Sequence, residues 1–118
     1  MKYLCLIYND EKKIRALPEN ELKGLMGEYM AFTEGIRRSG HYLASERLQP
    51  THTATTIRSR NAKVSTTDGP FAETKEQLGG FYLIEARDLN DAIQLASRIP
   101  GARTGSIEVR PIWELNGQ

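Results

Sequence analysis

The chain has 118 residues, of which 16 are basic and 15 acidic, so its formal net charge is only +1. This balance offers no broad basic field to duplex nucleic acid, and local basic groups are expected to be solvated surface. Nucleic acid is therefore not an expected partner. At this length, and with 39% hydrophobic residues, we expect a single domain spanning residues 1–118 around one core.

The single cysteine, Cys5, excludes an internal disulfide, and its place in an apolar run predicts a buried, unreactive thiol. No stretch reaches the ~20 apolar residues that a membrane span requires. The apolar run at the start is also too short for a secretory signal. We therefore expect a cytoplasmic protein with no membrane partner.

The first half of the chain predicts a strand, a long helix and a second strand. Residues 3–8 are apolar on both faces, which is typical of a strand covered on two sides. The helix is expected to run from Pro18 to Gly40, which can take the positive φ of a left-handed cap, and a strand over 41–48 follows. Apolar residues recur along the helix at steps of three and four, predicting one buried stripe. This stripe comprises Leu22, Leu25, Met26, Tyr29, Phe32, Thr33 and Ile36.

The second half predicts a hairpin followed by strand, helix and strand. The β-branched runs 53–59 and 63–67 flank a turn and predict the hairpin. A helical turn is expected over 73–78 and a strand over 81–86. Asp88 is placed to cap the next helix, which Pro100-Gly101 ends. The buried stripe of that helix is predicted to be Leu89, Ala92, Ile93, Ala96 and Ile99, and alternating residues over 107–114 predict a last strand.

The predicted order is β-α-β, a hairpin, then β-α-β. Without the hairpin this is a βαββαβ unit, the ferredoxin-like arrangement of the α+β class. Both helices would cover one face of an antiparallel sheet, and the apolar pattern of the strands indicates that the other face is also covered. Face-to-face self-association satisfies that requirement, so we predict a homodimer.

A resemblance is carried by Asp68-Gly-Pro-Phe71 and the following Ala-Glu-Thr-Lys-Glu-Gln-Leu-Gly-Gly, residues 72–80. This segment resembles the signature of the DGPF-type proteins within the YCII-related family, and the likeness extends from residues 1–8 to residues 108–111. The resemblance implies a dimeric α+β barrel. It implies no particular activity, because the biochemical role of DGPF proteins is largely unassigned.

The resemblance also bears on catalysis. Other YCII-related proteins carry a histidine on the first helix and an aspartate at the end of the second, a pair suited to acid–base work. Alignment through Gly40 places Tyr29 at the histidine, and alignment through Pro100 places Ile99 at the aspartate. Ile99 cannot transfer a proton, and tyrosine has a reference pKa of about 10. The family pair is therefore not carried over to this chain.

Four ionisable groups, Asp68, Glu73, Lys75 and Glu76, lie within nine residues of one another. A carboxylate at a strand end can move a proton or bind a cation. Alternatively, Asp68 shapes the turn by accepting hydrogen bonds from nearby amides, and the other three are solvated. The predicted catalytic residues are Asp68 and Tyr29, and the predicted ligand-binding residues are Tyr8, Glu46, Asp68, Glu73 and Lys75.

Two functions remain open from the sequence. The first is a dimer that binds a small organic molecule, with acid–base activity of the isomerase or lyase kind as an extension. The second is a non-catalytic regulatory or protein-interaction module, because DGPF-type genes often lie near those of alternative sigma factors. No metal or organic cofactor is expected, since His41 and His52 fit no metal-ligand spacing.

Overall fold

A computed structural model describes residues 1–115, which form an α+β architecture with two antiparallel sheets. Three α-helices and two short 3₁₀ turns connect the strands. The strands are β1 (Lys2–Asn9), β2 (Tyr42–Arg47), β3 (Thr55–Arg60), β4 (Lys63–Asp68), β5 (Gln77–Glu85) and β6 (Ser106–Pro111). The helices are α1 (Glu11–Arg15), α2 (Glu19–Arg38) and α3 (Leu89–Ala96), and the 3₁₀ turns are Thr51–Thr53 and Pro100–Arg103.

The main sheet has four strands in the order β2-β5-β1-β6, with every neighbouring pair antiparallel. Strands β3 and β4 pair only with each other, as an insertion between β2 and β5. This order and the position of the insertion are compatible with the predicted ferredoxin-like fold.

The core lies between the sheet and the helices. Tyr82 on β5 meets the α2 side chain Phe32 edge to face, with ring centroids 5.1 Å apart. The Tyr82 hydroxyl lies 2.6 Å from Thr33 Oγ1, so its polar end is satisfied inside the core. The buried apolar residues are Tyr3, Cys5, Ile7, Ile36, Tyr82, Ile84, Ala86, Ala92, Leu95, Ala96 and Ile99.

Two predicted helix ends, at Gly40 and at Asp88, are confirmed by their caps, whereas α3 ends at Ala96 and does not run to Pro100 as predicted. Gly40 has a φ of +80°, and the next amide, His41 N–H, donates to Ile36 O at 2.9 Å and closes the end of α2. At the start of α3, the Asp88 side chain accepts a hydrogen bond from Asp91 N–H at 2.9 Å. Both signals are local, so the sequence was sufficient to place them.

Three local predictions are wrong. The connection before Pro18 contains the short helix α1, which has no apolar periodicity to reveal it. Residues 73–78 form no helical turn, because the Thr74 hydroxyl and the Gln77 amide bond to nearby backbone carbonyls and compete with helical hydrogen bonds. Strand β5 instead begins at Gln77, four residues before the predicted start at Phe81.

The predicted stripe of α3 is also partly wrong. Leu89 and Ile93 are 49% and 46% exposed, whereas Leu95 is only 3% exposed. With eight residues, the helix buries the side that Ala92 and Leu95 share, and the small alanine lets the helix lie close to the sheet. The last strand ends at Pro111 and does not continue to 114.

The predicted hairpin is confirmed. Its turn consists of Asn61 and Ala62, both with positive φ, as a type I′ turn requires. We call residues 55–68 the hairpin arm. Its side chains contribute nothing to the core, and Ile57 and Val64 are 66% and 70% exposed on one face. The radius of gyration of 16.4 Å exceeds the about 13.5 Å expected for a compact chain of this length, as an arm outside the core requires.

Candidate ligand-binding cavity

The helix-facing side of the main sheet changes composition along its strands. At one end it presents large buried side chains, including Tyr3, Tyr82 and Ile84. At the other end, β5 has Gly80 opposite both Ile7 and Arg47. A bulge between Ile7 and Tyr8 then turns Gln77 toward the helix side. Glycine and polar residues thus replace the aromatic and aliphatic layer, which leaves space beneath the helix.

This space forms a cavity of about 380 Å³ under the N-terminal half of α2, which we call the α2 cavity. Its wall is mostly apolar, with side chains from β1, α1, α2 and the segment after β2. The apolar lining residues are Ile7, Ile14, Leu22, Leu25, Met26, Leu48, Pro50 and Phe81, although strand alternation directs the Phe81 side chain to the other face of the sheet. The polar and small lining residues are Asn9, Glu11, Arg15, Tyr29, Ser45, Glu46, Arg47, Gln77, Gly79, Gly80, Tyr82, Gly101 and Thr104.

Gly80 is required in the floor of the cavity. A Cβ at this position would lie 2.7 Å from the backbone oxygen of Glu46 on the adjacent strand. No side chain fits there without moving β2, so the glycine both permits the close strand approach and leaves the cavity unfilled.

Tyr29 lies on the buried side of α2 with its phenol at the 3₁₀ turn of residues 100–103. A Cβ on Gly101 would lie 2.7 Å from the phenol oxygen, so this glycine makes room for it. Burial raises the pKa of Tyr29, against smaller lowering effects of a Gly101 backbone hydrogen bond and of Arg103 and Arg47. The phenol is therefore protonated near neutral pH and can donate a hydrogen bond into the cavity. The turn is fastened to α2 by an ion pair of 2.7 Å between Arg103 and Glu28.

The charged groups of the α2 cavity differ in whether they have hydrogen-bond or ion-pair partners. The Glu11 carboxylate accepts hydrogen bonds from Thr51 N–H at 2.9 Å and from the Thr51 hydroxyl at 2.8 Å. Within residues 1–115, the side chain of Arg47 makes one hydrogen bond, from its Nη1 to the Met26 sulfur at 3.7 Å. Within residues 1–115, no carboxylate lies within 4.0 Å of the guanidinium of Arg15 or Arg47. The cavity therefore has one satisfied carboxylate and two guanidinium groups without a counter-charge.

The predicted site residues fall in separate places. Tyr29 lines the α2 cavity, and Glu46 borders it through its backbone oxygen at Gly80. The side chains of Glu46 and Tyr8 lie on the opposite face of the sheet. Asp68 ends the hairpin arm, exposed and opposite Thr55. It lines neither of the two cavities described among residues 1–115. The catalytic and ligand-binding role of Asp68 stays a prediction. For Asp68 to have that role, a ligand or a second chain would have to reach the hairpin arm.

Glu73 and Lys75 line a second, more polar cavity of about 450 Å³. It lies beside the first, because Glu11, Arg15 and Gln77 line both. The structure thus brings Tyr29 and Glu46 to one cavity and Glu73 and Lys75 to the next. The remaining residues that line the second cavity are Asp10, Lys12, Thr51, His52, Pro70, Ala72 and Thr74.

Arg15, Arg47 and Gln77 line the cavity but were not predicted as site residues. The apolar stripe of α2 was predicted, but apart from Tyr29 it was assigned to the buried face of the helix. The signal available was Gly79-Gly80, since glycines inside a strand mark a close backbone approach or a missing side chain.

Three further observations concern metal binding, the cysteine and membrane spans within the described part of the chain. No group of three or more His, Cys, Asp or Glu side chains in residues 1–115 is arranged to hold a metal ion. Cys5 is fully buried, as predicted, and burial raises the pKa of its thiol to about 11. Among the described helices, none is long and apolar enough to cross a membrane.

Comparison with known proteins identifies a family and leaves the activity open. The family model of the YCII-related domain matches residues 1–116. An uncharacterised protein of Rhizobium meliloti (strain 1021), R00369, is 40% identical over 114 residues, covering 95% of this chain and 92% of that protein. Both matches span nearly the whole chain, including both cavities and the hairpin arm. The chain therefore belongs to the YCII-related family.

Proposed function

We propose that the protein binds a small organic molecule in the α2 cavity. The observation that carries this proposal is a cavity of about 380 Å³ with an apolar wall and few polar groups. Cavities of this size and composition are typical of small-molecule sites. An apolar molecule there would bury its surface against Leu22 and Leu25 while its polar atoms meet Tyr29 and Gln77.

Acid–base activity is an extension of this proposal. Because burial raises its pKa, Tyr29 would act as a proton donor and not as a base near neutral pH. The backbone hydrogen bond with Gly101 lowers the pKa of Tyr29, but this effect is smaller than that of burial. A reaction would therefore need its base from the substrate, from solvent or from a second residue.

The binding test uses a neutral fluorescent probe, N-phenyl-1-naphthylamine, which brightens in apolar surroundings. We expect saturable binding of one probe per chain. Leu25→Trp, which fills part of the cavity, should weaken binding at least tenfold. The matched control is Ile57→Trp on the exposed arm, which should change the affinity less than twofold. Equal effects of the two variants, or no saturable binding, would reject the proposal.

We also propose that the protein is a homodimer in which the two sheets pack face to face. Support comes from the open face of the main sheet, where alternation places Leu4, Leu6, Phe81 and Leu83. The charged residues on this face lie on the outer strands, as Glu46 and Glu108 do, or at one end of the central strands, as Lys2 and Glu85 do. An apolar centre with a polar rim is typical of a protein interface.

Sedimentation at micromolar concentration tests the dimer. Leu6→Lys would place a charge in the centre of the proposed interface and should give a monomer. Ile93→Lys, on the exposed side of α3, is the matched control and should remain dimeric. A monomeric parent protein would contradict the proposal directly.

A second role, protein interaction, is supported by the hairpin arm. Ile57 and Val64 are diagonal neighbours on one face, and both are mostly exposed. We propose that this face packs on the second copy in the dimer. Changing both residues to serine should raise the dimer dissociation constant about tenfold or more, because apolar burial would be lost. An unchanged constant would leave the arm free for another protein.

A further inference from the structure

We infer that the ligand of the α2 cavity is an organic anion, with an apolar body under α2 and a carboxylate held by Arg15 and Arg47. This inference rests on the proposed function, because it names the chemical class of molecule that the cavity takes. Its basis is the combination of an apolar wall and two arginines without a counter-charge.

The apolar body follows from the wall. Residues Leu22, Leu25 and Met26 come from one side of α2, while Ile7 faces them from β1. None of these side chains has a strong polar group to offer a sugar or a peptide. A ring or a branched hydrocarbon suits such a wall better than a hydroxylated molecule.

The negative charge follows from the guanidinium groups. Arg15 belongs to α1 and Arg47 to the end of β2, so two separate elements bring positive charge to one cavity. Within residues 1–115 the Arg47 guanidinium donates a single hydrogen bond, to the sulfur of Met26 at 3.7 Å, and sulfur is a weak acceptor. A carboxylate would supply the acceptors that guanidinium groups prefer.

The two carboxylates that line the cavity do not cancel this charge. Both oxygens of Glu11 accept hydrogen bonds from Thr51, 2.8–2.9 Å away. Strand alternation directs the side chain of Glu46 to the face opposite that of Arg47. The backbone oxygen of Glu46, close to Gly80, accounts for its place in the floor.

Tyr29 adds a neutral donor on the same wall. Arg47 lies near enough to Tyr29 to act on the phenol electrostatically. Tyr29 and Arg47 line the same cavity, so the Tyr29 hydroxyl is a further donor for a carboxylate bound there. A cationic ligand would face two guanidinium groups and is disfavoured.

The test compares two competitors of the same shape that differ in charge. The probe N-phenyl-1-naphthylamine is displaced from the full-length protein by 2-naphthoate or by its neutral counterpart 2-naphthamide. We expect the naphthoate to displace the probe at a concentration at least tenfold lower than the amide does. The double variant Arg15→Gln and Arg47→Gln should abolish this preference, so that the naphthoate and the amide displace the probe from the variant at the same concentration.

The control removes the same charge elsewhere. The control double variant, Arg58→Gln and Arg60→Gln, changes two arginines on the exposed hairpin arm. It should keep the preference for the anion. Arg47→Lys, which retains the charge, should lose less of the preference than Arg47→Gln does. Because both arginines of the cavity are exposed, urea unfolding should be nearly the same for all these variants.

The outcomes separate the two proposals. If the probe binds but both competitors displace it equally, or if the arginine variants keep the preference, the anion inference is overturned and cavity binding stands. If the probe does not bind saturably, the proposed function fails and the inference fails with it.

Discussion

The two halves of α2 carry the same apolar periodicity over the same sheet, but they bury it differently. In the C-terminal half, Ile36 is 1% exposed and packs in the core. In the N-terminal half, Leu22 and Leu25 remain half-buried and line the α2 cavity. The difference lies in the sheet below, where Tyr82 fills the space and Gly80 leaves it open. Helix periodicity thus shows which side faces the sheet, and the sheet decides whether that side becomes core or cavity.

The strongest test of this comparison is one truncation in each half. Ile36→Ala should lower the free energy of unfolding by about 3 kcal/mol, because it leaves a hole in a filled core. Leu25→Ala should cost about 1 kcal/mol, since its side chain already borders empty space. Urea unfolding measures both. Equal losses would mean that the two halves of the helix pack alike.

Modification of the Cys5 thiol tests whether the filled core beneath the C-terminal half of α2 stays closed to solvent. Cys5 is fully buried, and burial raises its pKa from 9.0 to about 11. At pH 8 the thiolate fraction should be about a hundredfold lower than that of an ordinary cysteine, so a disulfide reagent should react at least that much more slowly. In urea the rate should become that of a free thiol. Fast reaction in the native protein would show that this end of the core opens.

Substitution of two glycines beside the α2 cavity by alanine should change the stability of the protein in opposite directions. Gly80→Ala should destabilise the protein by about 2 kcal/mol, because the new methyl would meet the Glu46 backbone oxygen. Gly24→Ala on α2 should stabilise it by about 0.5–1 kcal/mol, since nothing lies within 4 Å of the new Cβ. Thermal unfolding measures both. A destabilising Gly24→Ala would indicate a close neighbour on that side of α2.

The smallest expected effect is a dependence of stability on pH that comes from Asp91 on α3. Hydrogen bonds from the Arg87 amide and, to a smaller extent, from its guanidinium lower the pKa of Asp91 below its ordinary value of 3.8. A lowered pKa stabilises the fold above the unfolded value, and this stabilisation is lost as pH falls through the folded value. Asp91→Asn should therefore be less stable than the parent at pH 7, with the difference shrinking below about pH 4. A difference independent of pH would place the effect in packing and not in charge.

The parts of the fold that could be predicted are those with local signals. Gly40 and Asp88 marked helix ends, and the hairpin turn at 61–62 followed from the β-branched runs around it. Helix α1 was missed because five residues show no periodicity, and the loop before Gln77 was misassigned because its polar side chains bond to their own backbone.

The candidate site was harder to predict than the fold. Arg15 and Arg47 are 32 positions apart and line the same cavity only because the folded strands and α1 bring them to it. Nothing near either arginine in the sequence signals a pocket. The opposite case is Asp68, whose distinctive Gly-Pro turn suggested a site but which does not line the α2 cavity, so that its role stays a prediction. Tyr29 was identified through the family resemblance, and it does line the cavity.

A crystal structure of the protein grown with 2-naphthoate would test the central claim most directly. We expect the ring between the N-terminal half of α2 and Gly80, with the carboxylate facing Arg47 and Arg15. A structure at saturating naphthoate in which Leu22 and Leu25 close onto the sheet and exclude the ring would contradict the account.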